Sequence, residues 1–160
     1  MLELMTHLAE RLAAAGYVLR SGHAKGVDQA FEAGAGRQAQ IFLPWASYEE
    51  EQPIQAAYTR PKASSAAFPI AAKYHPAWSM MKRGSRLLHA RNVHQVLGDK
   101  LDQPAAFVVC WTPDGTLTGK HAQGGGTGQA IRIACAYEIP VFNLQVPAHL
   151  ERIQMFLARS

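Results

Sequence analysis

The chain has 160 residues and a mass of 17.5 kDa, too short for two independent cores, so a single domain over residues 1–160 is expected. A hydrophobic content of 48% is enough to fill an interior and excludes a disordered chain. Sixteen Lys and Arg against twelve Asp and Glu leave +4 with seven His neutral, an excess that suits anionic ligands without singling out nucleic acid.

The first fifteen residues place Leu2, Met5, Leu8, Leu12 and Ala13 on one helical face, and Gly16 stops that helix. Residues 17–20 then read as a short strand, Ser21 to Gly26 as a turn, residues 27–35 as a helix ended by Gly34 or Gly36, and residues 39–43 as a strand. Residues 44–75 carry Pro44, Pro53, Pro61 and Pro69 and read as a long loop with short helical pieces. A helix over 84–97, with Leu87, Leu88, Val93, Val96 and Leu97 inward, ends at Gly98. The apolar run 105–111 reads as a strand, followed by a glycine-rich loop, a helix over 127–138, a strand at 140–144 and a closing helix from Pro147.

Strands that alternate with helices and read as apolar runs predict an α/β fold with a parallel sheet covered on both faces. Cys110 and Cys135 lie inside apolar runs, so both are expected as reduced, buried thiols, which fits a cytoplasmic protein. No apolar stretch reaches the length that crosses a bilayer, so no membrane partner is expected. His23, His75 and His121 have no metal-like spacing with one another or with the cysteines; neither a metal site nor a cofactor is expected.

Charge is uneven along the chain. Residues 52–100 hold eight basic residues and one acid, for +7, while residues 1–51 sum to −3 and the remainder to zero. The basic segment is either a solvated face or an anion-binding surface.

Two strand-to-helix turns are built to meet an anion, because the following helix offers unpaired N–H groups and the positive end of its dipole. In the first, Ser21, Gly22, Ala24, Lys25 and Gly26 combine a hydroxyl, a cation and two glycines, and Asp28 either caps the helix or accepts a bond from a ribose hydroxyl. In the second, Gly124, Gly125, Gly126 and Thr127 make a bare backbone surface at a helix start. Within the 84–97 helix, Arg91 suits a phosphate and Asn92 a sugar or base edge, although both are equally at home on a surface. Trp45, Trp78 and Trp111 flank these segments as core residues or stacking partners for a base.

The segment LRSGHAKGVDQAFEAGA resembles the SGxAxGxD region of the SLOG superfamily, a Rossmann-like group that includes DNA-processing protein A, the Lonely Guy nucleotide hydrolases and the possible molybdenum-cofactor carriers. HPAWSMMKRGSRLLHARNVHQVLG, FVVCWTPDG and GGGTGQAIRIACAYEIPVFNL are similar to a branch found in phages and mobile elements, so the resemblance runs from about Leu2 to Leu144. It implies phosphate or ribose contacts at Ser21, Gly22, Ala24, Gly26 and Asp28, and further ligand contacts at Arg91, Asn92 and the Gly124 to Thr127 turn. It also implies homodimers or larger assemblies through the helices at 84–97 and 127–138.

Two departures stand out. Members of the group usually begin with a strand and a Gly-Ser-Arg-type loop ahead of the first helix, so a sheet lacking that strand is expected here. The Lonely Guy pattern PGGxGTxxE carries a glutamate that acts in base release; this chain has Gln123 at the proline position and Ala130 at the glutamate position, and alanine transfers no proton. Binding and sequestration of a nucleotide or nucleotide-derived signal, of ADP-ribose or cyclic type, is therefore the expected function. An N-glycosidase using one of Glu32, Glu49, Glu50 or Glu51, and single-stranded DNA binding like that of DNA-processing protein A, are the alternatives.

Overall fold

In the computed structural model, which describes residues 1–118 and 125–159, α1 (Leu2–Ala14) buries Met5, Leu8 and Ala9 and stops before Gly16 at φ +93°. The helical spacing of those three side chains gives α1 one apolar face. That face packs with α2 (Val27–Ala35), whose Phe31 and Ala35 are buried. Thr6 Oγ1 donates to the Ala30 carbonyl at 3.0 Å, and Gly34 lies against Thr6 and Ala9, where no side chain fits between the two helices. Because Thr6 meets Ala30 while Ala9 and Glu10 meet Gly34, the two helices run in the same direction.

Strands β1 (Leu19–Ser21), β2 (Ala39–Phe42) and β3 (Tyr58–Arg60) form a parallel sheet in that order, with Leu19 opposite Ala39 and Gln40 opposite Tyr58. Strands β4 (Val108–Cys110) and β5 (Val141–Asn143) form a second parallel pair, with Val108 opposite Val141. Helices α3 (Ala67–Lys73), α4 (Arg83–Leu97) and α5 (Gly126–Ala136) cover one face, and α6 (Pro147–Ala158) joins α1 and α2 on the other. Two apolar clusters follow from this layering. Met5, Leu8, Phe31, Ile41, Leu144 and Ile153 fill one side, and Ala67, Ala90, Val93, Leu97, Ile133 and Ile139 fill the other. The architecture is the expected α/β one, Rossmann-like, with parallel strands between two helical layers.

The structure corrects several details. The strands form two small sheets, of three and two strands, where one was expected, because β1 and β4 do not pair with each other. The first strand is Leu19–Ser21; Tyr17 and Val18 precede it and are 46% and 54% exposed. Residues 105–107 stay outside the ladder, leaving Val108–Cys110 as β4. Strand β3 lies inside the segment read as a loop. Tyr-Thr-Arg has no apolar run to signal it, and it is held at its end by Asp99, which accepts from Tyr58 Oη at 2.5 Å and Arg60 Nη1 at 2.8 Å. Cys135 is exposed, with its thiol 3.3 Å from the Leu117 carbonyl; only Cys110 is buried.

Candidate functional site

The turn after β1 is organised from beneath by a carboxylate. Glu32, on α2, accepts from Ser21 Oγ at 2.5 Å and from the His23 backbone N–H at 3.0 Å through Oε1, while Oε2 lies 2.6 Å from His23 Nδ1. His23 is 2% exposed and sits at φ +62°, a left-handed conformation that a non-glycine residue keeps only when its surroundings fix it. Its Nε2 faces the Gln52 carbonyl at 3.1 Å, so the ring also anchors the loop that follows β2. The Ser21 hydroxyl therefore donates inward. Asp28 behaves as a turn clamp: Oδ2 accepts from the N–H groups of Gly22 and Ala24 at 3.1 and 3.2 Å. Lys25 stands in solvent, 71% exposed, with Nζ 3.3 Å from Glu49 Oε2.

Helix α4 connects this turn to the second one. Arg91, 6% exposed, donates from Nη1 to the Gly22 carbonyl and from Nε to Asn92 Oδ1 at 3.0 Å. Asn92, equally buried, donates from Nδ2 to the Gly126 carbonyl at 3.4 Å and to Gln129 Oε1 at 3.3 Å. Gln129 is fully buried and passes the chain of bonds to the Ala71 carbonyl at 3.0 Å. Two glycines are explained by these contacts: a side chain at Gly22 would collide with the Arg91 guanidinium, and one at Gly126 with the Asn92 amide. The guanidinium also lies 5.4 Å from the Tyr48 ring centroid.

The second turn has a different character. Gly125 has φ +110° with nothing within 4 Å of the position a side chain would take, so its backbone faces open space at the start of α5. Gly126 and Thr127 follow in the first turn of that helix. Gly124 and Gln123 lie outside the described residues.

Both turns open on one cavity of about 1020 Å³. Its polar end is lined by Ser21, Lys25, Asp28, Arg91, Asn92 and Thr127, together with Ala24, Gly125, Gly126 and the 37% exposed ring of Trp111. Gly22 and Gly26 shape the first turn without lining the cavity. Ala130 lines it as well, and Cys110 contributes a thiol whose pKa is pushed up to about 12 by burial, which leaves it protonated at neutral pH. The arrangement offers backbone N–H groups at the starts of α2 and α5, a hydroxyl, two cations and an aromatic ring around one opening, which suits an anion attached to a planar group.

A second polar cluster lies under α4. The rings of His75 and His89 are 4.4 Å apart, His75 Nδ1 accepts from the Ala77 N–H at 3.2 Å, and both His89 nitrogens are buried without a hydrogen-bond partner. Burial first, then the charges of His75, Arg91 and Arg132, lower the pKa of His89 to about 4. Burial and Arg132 lower that of His75. Among the described residues, no group of three His, Cys, Asp or Glu is placed to hold a metal ion. No helix among them is long and apolar enough to cross a membrane.

Sequence reasoning singled out the turn residues and missed what fixes them. Glu32 enters the sequence reading only as a conceivable catalyst and His23 only as a histidine without metal-like spacing, while Tyr48 and Gln129 carry no signal. Comparison with family models, curated proteins and solved structures finds no match for the chain.

Proposed function

We propose that the chain binds a nucleotide or nucleotide-derived signal, of ADP-ribose or cyclic nucleotide type, at the polar end of this cavity, and acts by holding it. The observation that carries the reading is the convergence of the two glycine turns, one after β1 and one before α5, on a single opening through the adjacent side chains Arg91 and Asn92. Phosphate is the group that backbone N–H donors at two helix starts serve best, and Trp111 supplies a surface for a base. The nucleotide class comes from the resemblance to the SLOG superfamily. Capture is favoured over bond cleavage because Ala130 stands at the cavity wall and Glu32 is engaged by Ser21 and His23 beneath the turn.

Pairing of copies through surface helices, cytoplasmic residence and an origin in a mobile element belong to the same reading. Titration calorimetry with ADP-ribose, cyclic mononucleotides and nucleoside monophosphates tests it. Saturable binding of one class without release of free base supports capture, accumulating free base establishes an N-glycosidase, and the absence of binding across the panel overturns both.

A further inference from the structure

The two turns of the opening differ in how far their anion-binding groups are already taken. At the first, the hydroxyl, the ammonium and three backbone N–H groups are each matched to a carboxylate of the chain itself. Asp28 accepts from the N–H groups of Gly22 and Ala24, Glu32 from the Ser21 hydroxyl and the His23 N–H, and Glu49 holds the Lys25 ammonium at 3.3 Å. Three carboxylates thus meet one lysine and one histidine, and that end of the opening has an acidic balance. The second turn is the reverse. Gly125 faces open space, the first turn of α5 carries no acid, and Arg91 bonds the Gly22 carbonyl and Asn92 with no carboxylate paired to it among the described residues.

Glu49 is held in place by its loop. On one side of it the Tyr48 ring centroid lies 5.4 Å from the Arg91 guanidinium and 5.3 Å from the Trp45 ring, which it meets edge-on. On the other side the Gln52 carbonyl lies 3.1 Å from His23 Nε2. Between these anchors Glu49 sits at φ +50°, a left-handed conformation that its surroundings fix, and its side chain is only 24% exposed. The carboxylate therefore reaches Lys25 with less of the ordering cost that weakens most surface ion pairs.

We propose that Glu49 is a specificity-determining residue of this opening: it stands where a second phosphate would meet Lys25, so the ligand carries a single phosphate, seated at the second turn, and turns its uncharged part toward the first. This role rests on the nucleotide reading of the opening and narrows it to nucleoside monophosphates, linear or cyclic. A diphosphate gains nothing from Lys25 until Glu49 lets go, and its second phosphate then lies beside the carboxylates of Asp28 and Glu49, where like charges repel at close range. Ionised carboxylates accept hydrogen bonds and donate none, so the first turn favours hydroxyl donors over phosphate oxygens.

The test is calorimetric titration of the intact protein with the 5′-monophosphates and 5′-diphosphates of the common ribonucleosides. The parent is compared with Glu49→Gln, Glu50→Gln and the double variant Glu49→Gln, Lys25→Met, with circular dichroism confirming that each is folded. The parent is expected to bind a monophosphate at least about threefold more tightly than the diphosphate of the same base, and in Glu49→Gln the diphosphate gains up to about fivefold while the monophosphate changes by less than about twofold, the range of an ion pair open to solvent. Glu50→Gln removes the same charge from an exposed residue without an ion pair to Lys25 and should match the parent, and Lys25→Met should erase the gain of Glu49→Gln. A diphosphate that binds the parent as tightly as its monophosphate, or a gain shared by both ligands or by Glu50→Gln, overturns the role of Glu49 and leaves the nucleotide reading standing. Binding of none of these nucleotides to any folded form overturns both.

Discussion

Arg91 donates from Nε to Oδ1 of its neighbour Asn92 at 3.0 Å, and through that contact two turns far apart in sequence become one structure. Arg91 reaches back to the carbonyl of Gly22 and Asn92 reaches forward to that of Gly126. The pair is therefore a brace for the opening.

Replacing Arg91 by Met keeps the apolar stem and removes the donors, leaving the Gly22 carbonyl and Asn92 Oδ1 short of a partner in a buried site. Each such loss costs about 1–3 kcal/mol. Thermal denaturation should show a fall of several degrees, with ligand affinity reduced in parallel. Arg91→Lys should not restore either, since an ammonium cannot donate in two directions from one plane. Full recovery in the lysine variant would show that charge alone matters.

Glycine substitutions should separate packing from binding. Gly22→Ala places a methyl group against the Arg91 guanidinium and should lower the melting temperature, consistent with overpacking costs of about 1–3 kcal/mol. Gly125→Asp has room for its side chain and suffers mainly from φ +110°, a strain of about 1–3 kcal/mol, so the protein should stay folded while a carboxylate now faces the incoming anion. Circular dichroism together with calorimetric titration checks both. Nucleotide affinity unchanged in folded Gly125→Asp would remove this turn from the site.

Glu32 is read as the foundation of the first turn. Glu32→Ala leaves the Ser21 hydroxyl and the His23 N–H without their acceptor, which should cost at least about 2 kcal/mol in denaturant unfolding. Glu32→Gln retains one acceptor oxygen and should lose less. Equal stability of Glu32→Ala and the parent would contradict this role.

Acid sensitivity follows from His89. Unfolded, its imidazole takes up a proton near pH 6.5; folded, only near 4, so between those values the unfolded state binds more protons and stability falls as pH falls. The full effect is on the order of 3 kcal/mol, and His75, shifted in the same direction, adds to it. Melting temperatures measured from pH 7 to 4 should decline, and His89→Phe should flatten the profile. A profile equally steep in that variant would place the sensitivity elsewhere.

The long helices and the apolar strands were legible because burial imposes a period on the sequence: Met5, Leu8 and Leu12 mark α1, and Val93, Val96 and Leu97 mark α4. Strand β3 was not, because Tyr58 and Thr59 are exposed on an edge, where no apolar pattern is required. The turn residues announced themselves through glycine, a local property. Their supports did not. Glu32 lies eleven positions beyond Ser21, and Arg91 is 69 positions from the carbonyl it holds, so neither contact leaves a local pattern. The same limit hid the state of Cys135: Ile133 and Ala134 before it turn inward, while Cys135, Ala136 and Tyr137 lie on the exposed side.

The central claim, that the polar end of the cavity holds a nucleotide-type ligand, is tested most directly by native mass spectrometry of the purified protein, with the small molecules released on denaturation then identified. The account predicts an intact nucleotide-type ligand at near-stoichiometric occupancy, bound on purification or after incubation with a nucleotide library, and absent from folded Gly125→Asp. A parent protein that takes up no nucleotide under either condition would contradict it.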